Sequence, residues 1–144
     1  MGAAPTGAQY AIRPWELGRD LLVYLASRGV GIFSPTAIVG NTLFMTQMPD
    51  TPVVAGALVP DAAPAPRGGL SRPHYTLYLR DTHPASGGAR AALAFEALHE
   101  LRPSLANYDA FTTCDGLPSS FTFNSNRFPV HVLNISVAGM VRRA

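Results

Sequence analysis

Asp81-Thr82-His83, with His74 eight residues before Thr82, is the place where this sequence comes nearest to a reactive group. Asp and His both bind zinc or iron, so three such side chains could hold a metal or, with a water, serve a small hydrolase. Their spacing matches no ligand motif, and Pro84 marks the end of the strand that would have to carry them, so a loop histidine beside an acid is the simpler reading. Cys114 stands beside Asp115, but a cysteine nucleophile needs a histidine base held in place and no spacing supplies one. A buried or half-buried strand thiol is expected there. His131 lies in an apolar run and reads as a hydrogen-bonded core histidine. Asn134-Ile135-Ser136 fits a glycosylation sequon but falls in mid-strand. Gly87-Gly88 lacks the third glycine of a dinucleotide fingerprint. The expectation is no enzyme, no cofactor and no metal.

Composition excludes further classes. The 144 residues are 47% hydrophobic and 14% charged, which suits one folded domain with a real core. All eleven basic residues are arginine. The absence of lysine removes Schiff-base, P-loop and lysine-base chemistry. A net charge of +2 with scattered arginines is no nucleic-acid footprint, despite a pI near 9.0. A single cysteine cannot close an intrachain disulfide and fits a reducing compartment. Residues 1–12 read as a flexible segment without the pattern of a secretion signal, and no apolar run reaches the roughly eighteen residues of a membrane span. A cytoplasmic protein is expected. So low a charge also fits a subunit whose surface is covered by copies or partners.

The elements follow from periodicity and punctuation. Pro14 to Arg28 predicts a helix, with Pro14 in the first turn, Gly29 as stop, and Leu17, Leu21, Leu22 and Leu25 on one side with Trp15 at its edge. Thr42–Gln47 and Val53–Val59 read as strands separated by Pro49-Asp50-Thr51-Pro52. Residues 60–73 hold four prolines and a Gly-Gly pair and predict a protruding, mobile arm. His74–Arg80 alternates as a half-buried strand, with Tyr75, Leu77 and Leu79 inward. Ser86 is placed to cap a second helix over Gly87–Arg102, stopped by Pro103, with Leu93, Ala94, Ala97, Leu98 and Leu101 on its apolar arc.

Phe95 falls on the polar side of that helix with His99 and Arg102, covered either by a neighbouring loop or by another subunit. Tyr108–Cys114 and Ser119–Asn124 predict a hairpin around Asp115-Gly116-Leu117-Pro118, and Phe128–Val137 an interior strand. The fold class expected is α+β: a mixed, mainly antiparallel sheet packed against two helices in a single domain over residues 13–140.

This order of elements resembles the tailed-phage tail terminator family, also described as phage minor capsid proteins. The parts that carry the resemblance are the helix Pro14–Arg28, Met48-Pro49-Asp50-Thr51-Pro52, the apolar strand Val53–Val59, the Gly/Pro arm Ala62–Gly69, the Arg-ended strand Arg72–Arg80, the helix Ala89–Leu101, and Asp115-Gly116 followed by Phe121-Thr122-Phe123-Asn124 and Phe128-Pro129-Val130. Leu117-Pro118 departs from the basic-acidic pair that relatives tend to carry in the Asp-Gly turn.

The resemblance implies a non-catalytic virion subunit assembled in the bacterial host cytoplasm. It would close into a ring, commonly a hexamer, at the head-proximal end of the tail tube, with tube protein and neck or head-completion protein as partners. DNA would be only a passing cargo, and no membrane is involved. Phe95, His99, Arg102, Arg67, Arg72 and Asp50 are the interface candidates, with solvated loop charges the plainer account of Arg67 and Arg72. The alternatives are a head-completion or neck connector subunit, a small nucleic-acid-binding module, and a small hydrolase built on Asp81, His83 and His74.

Overall fold

The computed structural model describes residues 13–33, 42–50, 52–61, 73–122 and 128–141. The expected arm is therefore seen only at its ends, and Arg67, Arg72 and residues 1–12 lie outside the described residues. Two helices and six strands are found: α1 (Pro14–Ser27), β1 (Thr42–Met45), β2 (Ala55–Asp61), β3 (His74–Arg80), α2 (Pro84–Leu98), β4 (Tyr108–Cys114), β5 (Ser119–Thr122) and β6 (Pro129–Val141). They form the expected α+β domain. One sheet runs in the order β1-β2-β3-β6-β4, with β5 also on β6. The β1–β2 pair is parallel and all others antiparallel.

α1 begins where Pro14, whose missing N–H costs nothing in a first turn, follows extended Arg13. It ends at Gly29, whose φ of 84° lets Val30 N–H reach back to the Leu25 carbonyl at 3.1 Å. Leu17, Leu21, Leu22 and Leu25 are fully buried as the periodicity requires. Trp15 is not: it stands 57% exposed. Tyr75 anchors the helix to the sheet by donating its hydroxyl to the Pro14 carbonyl at 2.5 Å, and burial pushes its pKa up.

α2 differs from expectation at both ends. Pro84 is already in its first turn, and Ser86 lies inside the helix rather than capping it. The preceding turn is made instead by Asp81, whose Oδ1 accepts from Thr82 N–H at 2.7 Å and more weakly from His83 N–H at 3.4 Å. At the other end His99 is extended and Glu100 adopts φ 53°. Leu101 therefore leaves the helix and exchanges both backbone hydrogen bonds with Thr112. The buried face of α2 is Gly87, Ala91, Ala94, Ala97 and Leu98. The glycine and three alanines among them let the helix lie close on β6.

The expected β4–β5 hairpin is overturned. Both strands run antiparallel to β6, β4 along Ile135–Val141 and β5 along Pro129–Val132. They are thus two parts of one side of β6, and Asp115-Gly116-Leu117-Pro118 loops outward between them while Asp115 N–H still bonds the Asn134 carbonyl. An Asp-Gly pair serves an outward excursion as readily as a reversal, so turn chemistry alone does not choose between them. β6 is interior as predicted, with β3 on one side and β4 and β5 on the other. β1 stops at Met45 because Thr46 turns into positive φ, at 64°. β2 continues through Pro60 to Asp61, where β1 no longer accompanies it and a missing N–H removes no ladder bond on that side.

Candidate assembly surface

The helices cover one face of the sheet. The other carries Ala57, Val59, Thr76, Tyr78, Arg80, Val130, Val132, Asn134, Ser136, Phe111 and Thr113, fixed by the strand registers. Asp50 is displayed beside this face by an arrangement that the sequence did not suggest. Arg80 is 3% exposed, and its guanidinium is wrapped by carbonyls of the β1–β2 loop. Nε donates to Val53 O at 2.9 Å, and Nη2 to Pro52 O at 3.0 Å, to Asp50 O at 3.2 Å and to Pro49 O. No carboxylate takes part in these bonds. Pro49 and Pro52 offer acceptors and no competing donor, which is why a Pro-rich turn suits a buried cation. The Asp50 side chain is left exposed.

At the same end of the domain Arg90 joins three segments. Its Nε donates to Val30 O at 3.1 Å, its Nη1 to Arg80 O at 3.2 Å, and Nη1 lies 3.5 Å from Asp81 Oδ2. Burial lowers the Arg90 pKa, opposed by Asp81. Asp81 is thus a structural ion-pair partner. His74 begins β3 and Asp81 follows its end, about 23 Å away at the rise of an extended strand. The triad of Asp81, His83 and His74 does not come together. Among the described residues no three His, Cys, Asp or Glu side chains are placed to hold a metal ion.

His74 instead joins a polar row at the other end of the outer face. The Ser136 hydroxyl donates to Asp115 Oδ1 at 2.7 Å and lies 3.0 Å from His74 Nδ1. With its single proton given to Asp115, Ser136 can only accept from His74, which places the ring proton on Nδ1. Here serine stands in the middle, unlike a catalytic relay, in which histidine stands between the other two and takes the serine proton. The row lines an open groove of about 570 Å³ together with Phe111 and Thr113.

His131 is buried, as expected, but its Nδ1 has no hydrogen-bond partner among the described residues. The ring lies against the first turn of α2, where a Cβ on Gly87 would stand 2.7 Å from Nδ1 and one on Gly88 3.5 Å from Nε2. Gly87 is therefore a packing device, while Gly88 has room for a methyl group. Cys114 is buried, and desolvation pushes its thiol up to about 12.

Phe95 is half-buried and packs against the core, with His99 stacked on it at 4.6 Å between centroids. His99 Nδ1 accepts from the Cys114 backbone N–H at 3.3 Å, so this ring closes part of the free edge of β4. Arg102 lies beyond the end of α2 and is exposed. The side chains that sequence reasoning missed are the exposed apolar ones: Trp15, Val23, Ile32, Leu101, Phe111 and Leu117. Val23 could have been found from its place opposite the leucines of α1. Phe111 and Leu117 depended on the strand pairing.

No protein-family model matches the chain, and no curated protein matches it. Among solved structures, a chain in the virion of a native gene transfer agent particle has the same fold at a TM-score of 0.51 and 11% identity, the match covering 88% of this chain and 94% of that one.

Proposed function

We propose that this protein is a structural component of a phage-like virion, and specifically a tail terminator. It would form a ring, a hexamer by the family resemblance, at the head-proximal end of the tail tube and dock to the neck. The observation that carries this reading is the near end-to-end correspondence with one chain of a gene transfer agent virion. The central place of Ser136, rather than His74, in the Asp115, Ser136 and His74 row supports a non-catalytic role. The rigid mounting of the Asp50 loop on Arg80 supports a presented contact surface. Assembly would take place in the host cytoplasm, with DNA passing through.

The test is addition of the purified protein to polymerising tail-tube protein, with tube lengths measured by negative-stain microscopy. Short tubes with an annular cap are expected. Unchanged elongation together with binding to a portal complex would move the assignment to the neck connector. Steeply salt-dependent DNA affinity without either would replace it by a nucleic-acid-binding module.

A further inference from the structure

The exposed large apolar side chains fall into two groups that carry opposite charge. On α1, Trp15, Arg19 and Val23 follow one another at one-turn spacing, with Trp15 and Val23 57% and 53% exposed. Glu16 and Asp20 turn to the other flank, toward Tyr108 and Asn107. Exposed Arg28 ends the helix, and Ile32 continues the patch along the outer edge of β1, where its carbonyl takes the Leu43 N–H. Neither Arg19 nor Arg28 forms an ion pair among the described residues. The second group lies at the β4 end, where Leu101, Phe111 and Leu117 are exposed beside the carboxylates of Glu100, Asp109 and Asp115. Among the described residues Arg102 is the cation there.

We infer that these two surfaces dock on each other between copies of this chain, the α1 stripe of one copy on the β4 end of the next. Charge decides the arrangement. A twofold dimer through either patch would set arginines on arginines or carboxylates on carboxylates, and like-charge contact is strongly unfavourable at an interface. Head-to-tail contact pairs Arg19 and Arg28 with Asp115 and Glu100. It also covers Trp15 with Phe111 and Leu117, and Trp and Arg are the residue types that dominate interface energetics. Such a heterologous contact repeats from copy to copy, closing into a ring or running on as a filament. Closure rests on the terminator reading above; the identity of the two surfaces does not.

The test uses the full chain with Trp15→Cys and Leu117→Cys together, and each alone, treated with a short bismaleimide; the native Cys114 is buried and stays silent. The double variant should link through dimers to a multimer of fixed size, and each single variant should stay monomeric. Adding Arg19→Glu should slow linking by about tenfold or more, and Asp115→Arg in a second copy mixed with it should restore the rate. Single variants that dimerise as well as the double one, a double variant that stays monomeric, or indifference to Arg19→Glu would each overturn the proposal. Wild-type rings seen by microscopy without cross-linking would leave the ring standing and the surfaces refuted. A ladder that never closes would leave the surfaces standing and refute the ring.

Discussion

Gly87 and Gly88 are adjacent in the same helix, and replacing each with alanine should change stability in opposite directions. Alanine gains up to about 1 kcal/mol over glycine in a helix interior. At Gly88 the added methyl would lie 3.5 Å from His131 Nε2, an ordinary contact, so Gly88→Ala should stabilise by about 0.5–1 kcal/mol. At Gly87 it would stand 2.7 Å from Nδ1, 2.8 Å from Cε1 and 3.2 Å from the Asp81 Cβ. The ring is held between β6 and α2, and Asp81 is tied to Arg90, so neither neighbour can swing aside freely. Overpacking of this kind costs about 1–3 kcal/mol, which outweighs the propensity gain and leaves Gly87→Ala destabilised by about 1–2 kcal/mol. Urea denaturation followed by circular dichroism measures both, with unchanged m-values confirming that the native state is what moved. The contact itself is isolated by combining Gly87→Ala with His131→Ala, where the alanine at 87 should become neutral or stabilising, a coupling of about 1–3 kcal/mol. A Gly87→Ala protein as stable as Gly88→Ala, or a penalty that persists without the imidazole, would refute the argument that His131 sets the spacing of helix and sheet.

Arg80→Met should cost about 2–3 kcal/mol, because it strands carbonyls that accept from a charged donor, and should open the β1–β2 loop to limited proteolysis. Arg90→Met should cost about 3 kcal/mol, near the low end for breaking a buried pair since Asp81 keeps the Thr82 N–H, and the loss should shrink in an Asp81→Asn background. The Cys114 thiol, raised from 9.0 to about 12, should resist Ellman's reagent at pH 8 until the protein is unfolded. Between pH 9 and 12 the unfolded thiol releases its proton and the folded one keeps it, so the unfolded state binds fewer protons and stability falls as pH rises. Raised Tyr75 and Tyr108 act in the same direction above pH 10, so melting temperatures should decline from pH 9 upward rather than hold level.

The parts of the fold legible in the sequence are those set by local signals. Pro14 and Gly29 bracket α1 to within a residue because helix entry and exit are decided by a few adjacent backbone groups. His74–Arg80 was exact for the same reason, an alternation ended by Asp81. The β4–β5 relation failed because Asp115-Gly116 permits two paths, and the choice is made by the length of β6, whose thirteen residues offer partners to both strands on one side. The burial of Arg80 is not legible, because alternation puts it on the face opposite Tyr75, Leu77 and Leu79 and says nothing of what folds over that face. The carbonyl wrap comes from a loop nearly thirty residues earlier, and two prolines at that spacing were its only trace.

The way the sheet edges are finished bears on how copies of this chain could meet. Open strands invite association by adding further strands, and stable subunits block this. Here Leu101 takes both backbone groups of Thr112, and His99 takes the Cys114 amide, so the upper part of the β4 edge is already paired. At the other end the Leu43 amide is held by the Ile32 carbonyl. The segments that seal these edges, 99–101 after α2 and 30–32 after α1, also present the side chains left exposed there, Leu101 and Ile32. Sealing the edges thus shifts recognition from backbone to side chains. Strand addition accepts almost any extended sequence, whereas paired apolar groups with opposite charges accept one partner in one orientation. A subunit that must meet its own copies in a fixed geometry needs the second kind of contact.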